Sequence, residues 1–341
     1  MKIDFVIPWV DGNDLLWQKE KEKYDSSEVK DYTNSDMRYR DWGTLKYVMR
    51  SIEKNAPWYN KIYLITAGHY PEWLDLDSEK VELITHDELF FDTSHLPTFS
   101  SRAIEMNLPN LDKLADKFIH MNDDTLITKK VDINRFFIDD KPVDFLSHGW
   151  IPRNKLFEKL RGMNAWAYAI KNNLNLINKK FYPMNFNSKE IYHHTYSLKT
   201  KISNWIMQNM YKKFIWIEHW HHPTPYLKKT LVDVYNEFSD EMMKCSKNKF
   251  RTNDGLNPYI YRYWQLANHN FYPYKHNDGL FCKIENKDDI DKCLNDLDKY
   301  TLVCPNDSVP DTISEEEYIY IETKLIKKLD EMFFDKASFE K

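Results

Sequence analysis

Short apolar runs separated by longer mixed stretches mark the first 150 residues. Ile3 to Val10 is almost wholly apolar and stops at "DGND", the pattern of a buried strand ended by a turn. "KIYLIT" (61–66), "VELIT" (81–85), "KFIHM" (117–121) and "PVDFLS" (142–147) repeat that form and predict four further strands. Residues 13–36 are charged and helical in tendency, without a strong apolar face. Thr44 is placed to N-cap a helix whose apolar face is Leu45, Val48, Met49 and Ile52, ending before Pro57. Strands separated by helices predict an α/β fold with a mostly parallel sheet covered by helices on both faces. Ligands of such sheets sit beyond the C-terminal strand ends. The turn after Val10, Thr66, "THDELF" and "NDD" (122–124) should therefore lie along one edge.

From about residue 150 the pattern turns helical. Helices are predicted near 155–175, 197–212, 225–238 and 256–268, broken by "HWHHPTP" (219–225). A last helix, 314–334, opens with the capping-box pattern Ser314-x-x-Glu317 and carries Tyr318, Ile321, Leu325 and Met332 on one face. That stripe predicts a docked core helix. With no internal repeat and no low-complexity linker, residues 1–150 are expected to form the sheet-bearing core. Residues 151–341 then pack back on it as a mainly helical subdomain.

Composition narrows the classes. The chain of 341 residues is 42% hydrophobic and 30% charged, which excludes a disordered chain. No run approaches the roughly 18 apolar residues that span a bilayer. The N-terminal "MKIDFVIPWVDG" lacks the length and flanks of a signal peptide, so a cytoplasmic protein is expected. A net charge of -5 argues against nucleic acid as a partner. The four Cys lie far apart without a C-x-x-C, so buried free thiols are expected. Seven Gly form neither G-x-G-x-x-G nor a P-loop, so any bound phosphate must rely on Arg, Lys, a metal or helix N-termini. Aromatic residues reach 15%, enough to build both core and stacking platforms for sugars.

Four clusters carry candidate chemistry, each with a plainer alternative. Asn122, Asp123 and Asp124 are good turn formers, or a carboxylate pair that holds a divalent cation at a strand end. In "RYRDWG", Arg38 and Arg40 share one face if extended, followed by Asp41. They are either solvated surface charge or a fork for a diphosphate, notable because only nine Arg occur. "LPTFSSRAIE" runs Ser and Thr, ordinary helix caps, into a short helix bearing Glu105. "HWHHP" offers a metal cluster, a catalytic base or incidental polar surface. Extended geometry separates His221 from His222, which disfavours a three-His site and leaves one His as a base near neutral pH. Arg251 follows thirty residues downstream.

Several of these segments together resemble a known family. "IDFVIPWVDGND", "RYRDWGTLKYVMRSIEKNAPWYNKIYLITAGHYPEWL", "THDELF", "LPTFSSRAIE" and "FIHMNDDTLI" resemble the first two conserved blocks of the Stealth family of sugar-phosphate transferases. "HHPTPYLKKTLVDVYNEF" with "KFR" is similar to the third block, and "YTLVCPNDS" to the fourth. The family includes bacterial capsular and exopolysaccharide hexose-1-phosphate transferases, and the enzyme that tags lysosomal glycoproteins with N-acetylglucosamine phosphate. The resemblance implies a Rossmann-like core and a nucleotide-sugar donor, with a UDP-sugar such as UDP-GlcNAc expected. It also implies a Mg²⁺ or Mn²⁺ requirement and a phosphodiester product. An oligo- or polysaccharide acceptor follows, whether free or lipid-linked, with peripheral contact at the inner membrane face left open.

Carried over by position, the family's residues fall on Asp4, Glu105, Asp124, His221, Arg251, Asn306 and Asp307. "RDWGT" departs from the "RDNEE" of many members, so contacts made there by the acidic pair do not transfer. The implied scheme has Asp123 and Asp124, with Glu105 nearby, organising the metal, and Arg38, Arg40 and Arg251 binding phosphate oxygens. His221 takes the acceptor proton, while Trp9 and Asp11 face the nucleoside, with Asp41 and Asn122 also among the substrate contacts. Three alternatives stay open: a metal-dependent glycosyltransferase cleaving C1–O, a non-enzymatic polysaccharide-binding protein, and a phosphodiester hydrolase.

Overall fold

The computed structural model describes residues 2–25, 38–149 and 165–341. In chain order the strands are β1 (Ile3–Pro8), β2 (Ile62–Thr66), β3 (Val81–Thr85), β4 (Lys117–His120), β5 (Leu126–Ile127) and β6 (Phe137–Ile138). They continue with β7 (Lys141–Asp144), β8 (Thr224–Leu227), β9 (Tyr272–Pro273), β10 (Gly279–Ile284) and β11 (Leu302–Asp307). The main sheet has the order β3-β2-β1-β4-β8 and is parallel except for β8, which runs against β4. This is the expected mixed α/β architecture.

The central strands read as unbroken apolar runs because both sheet faces are covered. Ile3, Phe5 and Ile7 of β1 point into one core, with the helices Thr44–Asn55 and Glu315–Met332. Val6 points into the other, beneath the helices Ala165–Lys180, Lys228–Ser246 and Tyr259–Ala267. Ile321, Leu325 and Leu329 of the last helix are buried in the first core, as its sequence stripe required.

Four expectations change. Thr44 is not the N-cap: Gly43, at φ 73°, takes that place, and the Thr44 hydroxyl donates 3.0 Å to the Asp123 carbonyl. The "PVDFLS" strand leaves the main sheet and pairs as β7 with β6 and β9. The helix expected from 225 begins at Lys228, because Thr224–Leu227 is taken as an edge strand, where Pro225 is tolerated. Residues 1–150 and 151–341 are also interleaved: β8 completes the main sheet, and β11 of the second half pairs with β5 of the first. Residues 26–36 of the charged N-terminal stretch and 155–164 of the next predicted helix lie outside the described residues; helices occupy Leu15–Tyr24 and Ala165–Lys180 beside them.

Candidate active site

Strand order places the site. From β1 the chain moves outward to β2 and β3, then crosses back to lay β4 on the other side of β1. Loops leaving β1 and β4 therefore diverge and open a crevice at their C-terminal ends. A cavity of 430 Å³ lies there, lined among others by Trp9, Glu105, His120, Asn122, Asp123 and His221. Pairing of β8 against β4 sets His120 opposite Thr224, so residues 220–223 meet residues 121–124. That register brings Asn122 Nδ2 and His221 Nε2 to 2.9 Å. His221 Nε2 also lies 3.8 Å from Asp124 Oδ1.

Asp123 lines the cavity, with Asp124 and Asp41 near enough to act on its charge. Burial, then the charges of Asp124 and Asp41, push the Asp123 carboxyl well above its ordinary range. Burial likewise raises Asp41, whose Oδ2 accepts from Trp9 Nε1 at 3.0 Å and which feels the charge of Asp11. Asp124 is held from behind: Asn306 Nδ2 donates to its Oδ2 at 2.9 Å. This arrangement follows from β11 pairing antiparallel with β5, which immediately follows "NDD". Among the described residues, Asp124, His221 and Cys304 could also present ligand atoms to one cation, all within 4.8 Å of one another. Asp123 and Asp41, raised by burial with neighbouring carboxylate charge adding to it, fit a hard divalent cation that would restore their charged forms.

The opposite wall is cationic. Arg38, Arg102 and Arg251 all line the cavity, three of the nine Arg in the chain. Burial pushes Arg102 down to about 10, with the Arg251 charge adding to the effect. Arg251 is lowered for the same first reason, and its Nη2 donates to Ser101 Oγ at 3.0 Å. Guanidiniums that repel one another in a cavity are a site for a multiply charged anion. Trp166, Trp220 and Tyr259 supply an aromatic wall.

Comparison with known proteins places this geometry. Residues 1–28 match the profile described as Stealth protein CR1, conserved region 1, and residues 38–144 that of Stealth protein CR2, conserved region 2. The capsular polysaccharide phosphotransferase WcwK of Streptococcus pneumoniae is 34% identical, over 100% of this chain and 98% of its own. The chain belongs to the Stealth family. It is thus an enzyme, a transferase. The receptor polysaccharide phosphotransferase WefC of Streptococcus gordonii is 35% identical, with 99% of each chain covered. The solved galactosyltransferase LgtC, in complex with donor and acceptor sugar analogues, aligns over 96% of this chain and 95% of its own. Its TM-score of 0.37 and 8% identity are too low to bear on the chemistry.

Of the positions carried over from the Stealth blocks, Glu105, His221 and Arg251 line the cavity, and Asp124 and Asn306 adjoin it behind His221. Five other expected site residues, Asp4, Arg40, Asp307, Asp11 and Asp41, are not among those lining the cavity. Asp4 sits near the start of β1, at the far end of the sheet, where its carboxylate accepts from Asn60 Nδ2 and the Ala115 amide, both at 2.7 Å. Arg40 is not a free phosphate fork: its Nε and Nη2 grip Asp307 at 3.0 and 2.9 Å, which occupies both residues. Asp11 and Asp41 lie behind Trp9; the Asp11 amide donates to His69 Nε2 at 2.9 Å.

The other two histidines are held by other partners, although His222 also lines the cavity. His219 bonds the Tyr263 hydroxyl, and His222 is packed against Gly279, where a Cβ would come within 2.5 Å of its Nε2. Sequence reasoning missed Arg102 and His120. Arg102 stands one turn before Glu105 on the same short helix, a spacing that pointed to a shared face. His120 lies 3.3 Å from Glu105 through its Nε2, a contact no local pattern signals.

Proposed function

We propose that this Stealth transferase moves a hexose-1-phosphate, such as N-acetylglucosamine-1-phosphate, from a nucleotide-diphosphate sugar to a glycan hydroxyl. The observation that carries the reading is the meeting of three arginines, the Asp123 and Glu105 carboxylates and His221 around one cavity. A diphosphate needs just such cationic and metal-assisted neutralisation, and the acceptor needs a base. The full-length likeness to polysaccharide phosphotransferases supports the same reading and sets it in capsule or exopolysaccharide synthesis.

Arg38, Arg102 and Arg251 hold the phosphate oxygens as fixed forks. Asp123 and Asp124, with Asp41 nearby, would hold Mg²⁺ or Mn²⁺, whose chemistry is to neutralise diphosphate oxygens as charge develops. His221, oriented by Asn122, takes the proton of the attacking hydroxyl. The new bond forms at the sugar-side phosphorus, and the bridging P–O bond breaks. A nucleoside monophosphate leaves, and the sugar's C1–O bond survives. The aromatic wall of Trp166, Trp220 and Tyr259 offers flat faces to sugar rings.

The test is incubation with a panel of nucleotide sugars and a glycan acceptor, followed by mass analysis of the released nucleotide. Nucleoside monophosphate together with a phosphodiester-linked product is expected. Release of nucleoside diphosphate would mean C1–O cleavage by a glycosyltransferase, and acceptor-independent turnover would mean a hydrolase.

A further inference from the structure

The helix Leu198–Ile206 and its continuation through Tyr211 are built inside out. The buried residues of Leu198–Ile206 are the uncharged polar Thr200, Ser203 and Asn204: Asn204 Nδ2 donates to the Leu146 and Ile191 carbonyls, both at 2.9 Å, and the Ser203 hydroxyl donates to the His148 carbonyl. Its apolar residues face outward, with Leu198 74%, Ile202 43% and Trp205 50% exposed, at the i, i+4, i+7 spacing of one stripe. Met210, 68% exposed, extends it. Met184, also exposed, lies alongside, since Gln208 Nε2 reaches the Met184 and Phe186 carbonyls. A helix that hides its polar side and presents Leu, Ile, Trp and Met needs an apolar partner.

The charge around this stripe says which partner. From Lys179 to Ile217 the chain carries seven Lys and a single acidic residue, Glu190, which is buried, although the whole protein has net charge -5. Lys179 and Lys180 pair with Glu241 and Glu237. Among the described residues, no carboxylate pairs with Lys189, Lys199, Lys201, Lys212 or Lys213. All but Lys201 are exposed. An apolar stripe with Trp at its centre and lysines beside it matches the anionic surface of a bilayer. A second copy fits poorly, because a two-fold interface would set these lysines against their own equivalents.

We propose that this face docks the protein on an anionic lipid bilayer, with Leu198, Ile202 and Trp205 entering the headgroup boundary and the lysines meeting acidic headgroups. No helix among the described residues is long and apolar enough to cross a membrane, so the contact is peripheral. The chain runs from Lys213 through buried Phe214 and Ile217 to Trp220 and His221, tying the docking face to the cavity wall. A membrane-borne acceptor would thereby be met on the side of the base.

The experiment is flotation of the full chain with protein-free vesicles, phosphatidylglycerol mixed with phosphatidylcholine against phosphatidylcholine alone. It involves no substrate or turnover, so its outcome is separate from that of the transferase reading. Binding to the anionic vesicles, weakened by salt, is expected. Lys212→Gln with Lys213→Gln should lower the partition coefficient about tenfold or more. Ile202→Ser with Trp205→Ser should lower it comparably, while Lys327→Gln with Lys328→Gln, on another helix, should leave it unchanged. These positions are at the surface, and circular dichroism of each variant checks the fold. Equal binding to both vesicle types, no binding, or binding indifferent to the patch variants would overturn the proposal. So would a lipid-free dimer that Trp205→Ser dissolves, because the stripe would then be a self-interface.

Discussion

Asn306 Nδ2 donates to Asp124 Oδ2 at 2.9 Å, joining residues 182 positions apart in the chain. Strand β11 thus reaches the site from the far end of the chain by fixing the carboxylate that faces His221. Asp124 is one of the proposed metal-holding residues and Asn306 its support, which separates their variants. Asp124→Asn should abolish turnover with little loss of fold, because a neutral amide does not replace a carboxylate at a hard cation. Asn306→Ala should leave measurable activity but weaken metal affinity by about 10- to 100-fold, so that more metal is needed for half-maximal rate. Excess EDTA should stop the reaction, and added Mg²⁺ or Mn²⁺ should restore it. Full activity in EDTA would remove the metal from the scheme.

Arg102 and Arg40 should fail differently. Arg102→Lys keeps the charge but loses the planar two-donor fork, so the Michaelis constant for the donor should rise about tenfold or more at near-normal stability. Arg40→Lys weakens the grip on Asp307. It should therefore lower stability by about 1–3 kcal/mol in denaturant titration, with donor affinity close to wild type. If Arg40→Lys instead changed donor affinity at unaltered stability, the Arg40–Asp307 clamp would not persist in solution.

His221→Ala should depress turnover on the order of 10²–10⁴-fold and leave donor binding nearly intact, since the base meets the acceptor and not the diphosphate. His222→Ala should cost stability, because the ring is buried against Gly279. Turnover crippled by His222→Ala in a well-folded variant, with His221→Ala nearly normal, would reverse the two roles.

Acid should destabilise the protein through its buried histidines. Burial pushes His86, His222 and His276 down to about 4 and His148 to about 3. Each is neutral in the folded chain but titrates near 6.5 when unfolded, so the unfolded state binds more protons between those values. Their contribution is full above 6.5 and is lost as the pH falls from 6.5 towards about 4. Asp123 and Asp41 act with the opposite sign: their raised folded values make stability fall as pH rises above the ordinary 3.8. Urea midpoints at pH 7.5, 6 and 5 should show a shallower acid loss in His148→Leu than in wild type. They should show a steeper one in Asp123→Asn, which removes the opposing trend.

Much of the fold was legible from local pattern. β1, β2 and β4 are short apolar runs, as strands buried on both faces have to be, and β3, half-buried at the sheet edge, keeps the same form. The stripe of Ile321 and Leu325 announced a docked helix because a 3.6-residue period leaves only one face to bury. Thr224–Leu227 was not legible: a four-residue edge strand running directly into a helix has too few residues to show a period. The exposed stripe of Leu198, Ile202 and Trp205 has a helical period that gives no hint of which face is buried.

By itself, the sequence determined the strands, the turn chemistry of "NDD", the scarcity of Arg and Gly, and the motif strings that mark a Stealth transferase. Tertiary structure alone decided which of those residues meet. Antiparallel pairing of β8 with β4 brought residues 220–223 alongside 121–124, where His221 meets Asn122 and Asp124. Pairing of β11 with β5 carried Asn306 to Asp124, while the Arg40–Asp307 clamp withdrew two expected ligands from the cavity. Arg102 entered the site for the same kind of reason. A residue type and its spacing along the chain limit which face it shares locally, but a diphosphate is held by groups brought together from distant segments, and strand order and register are what bring them there.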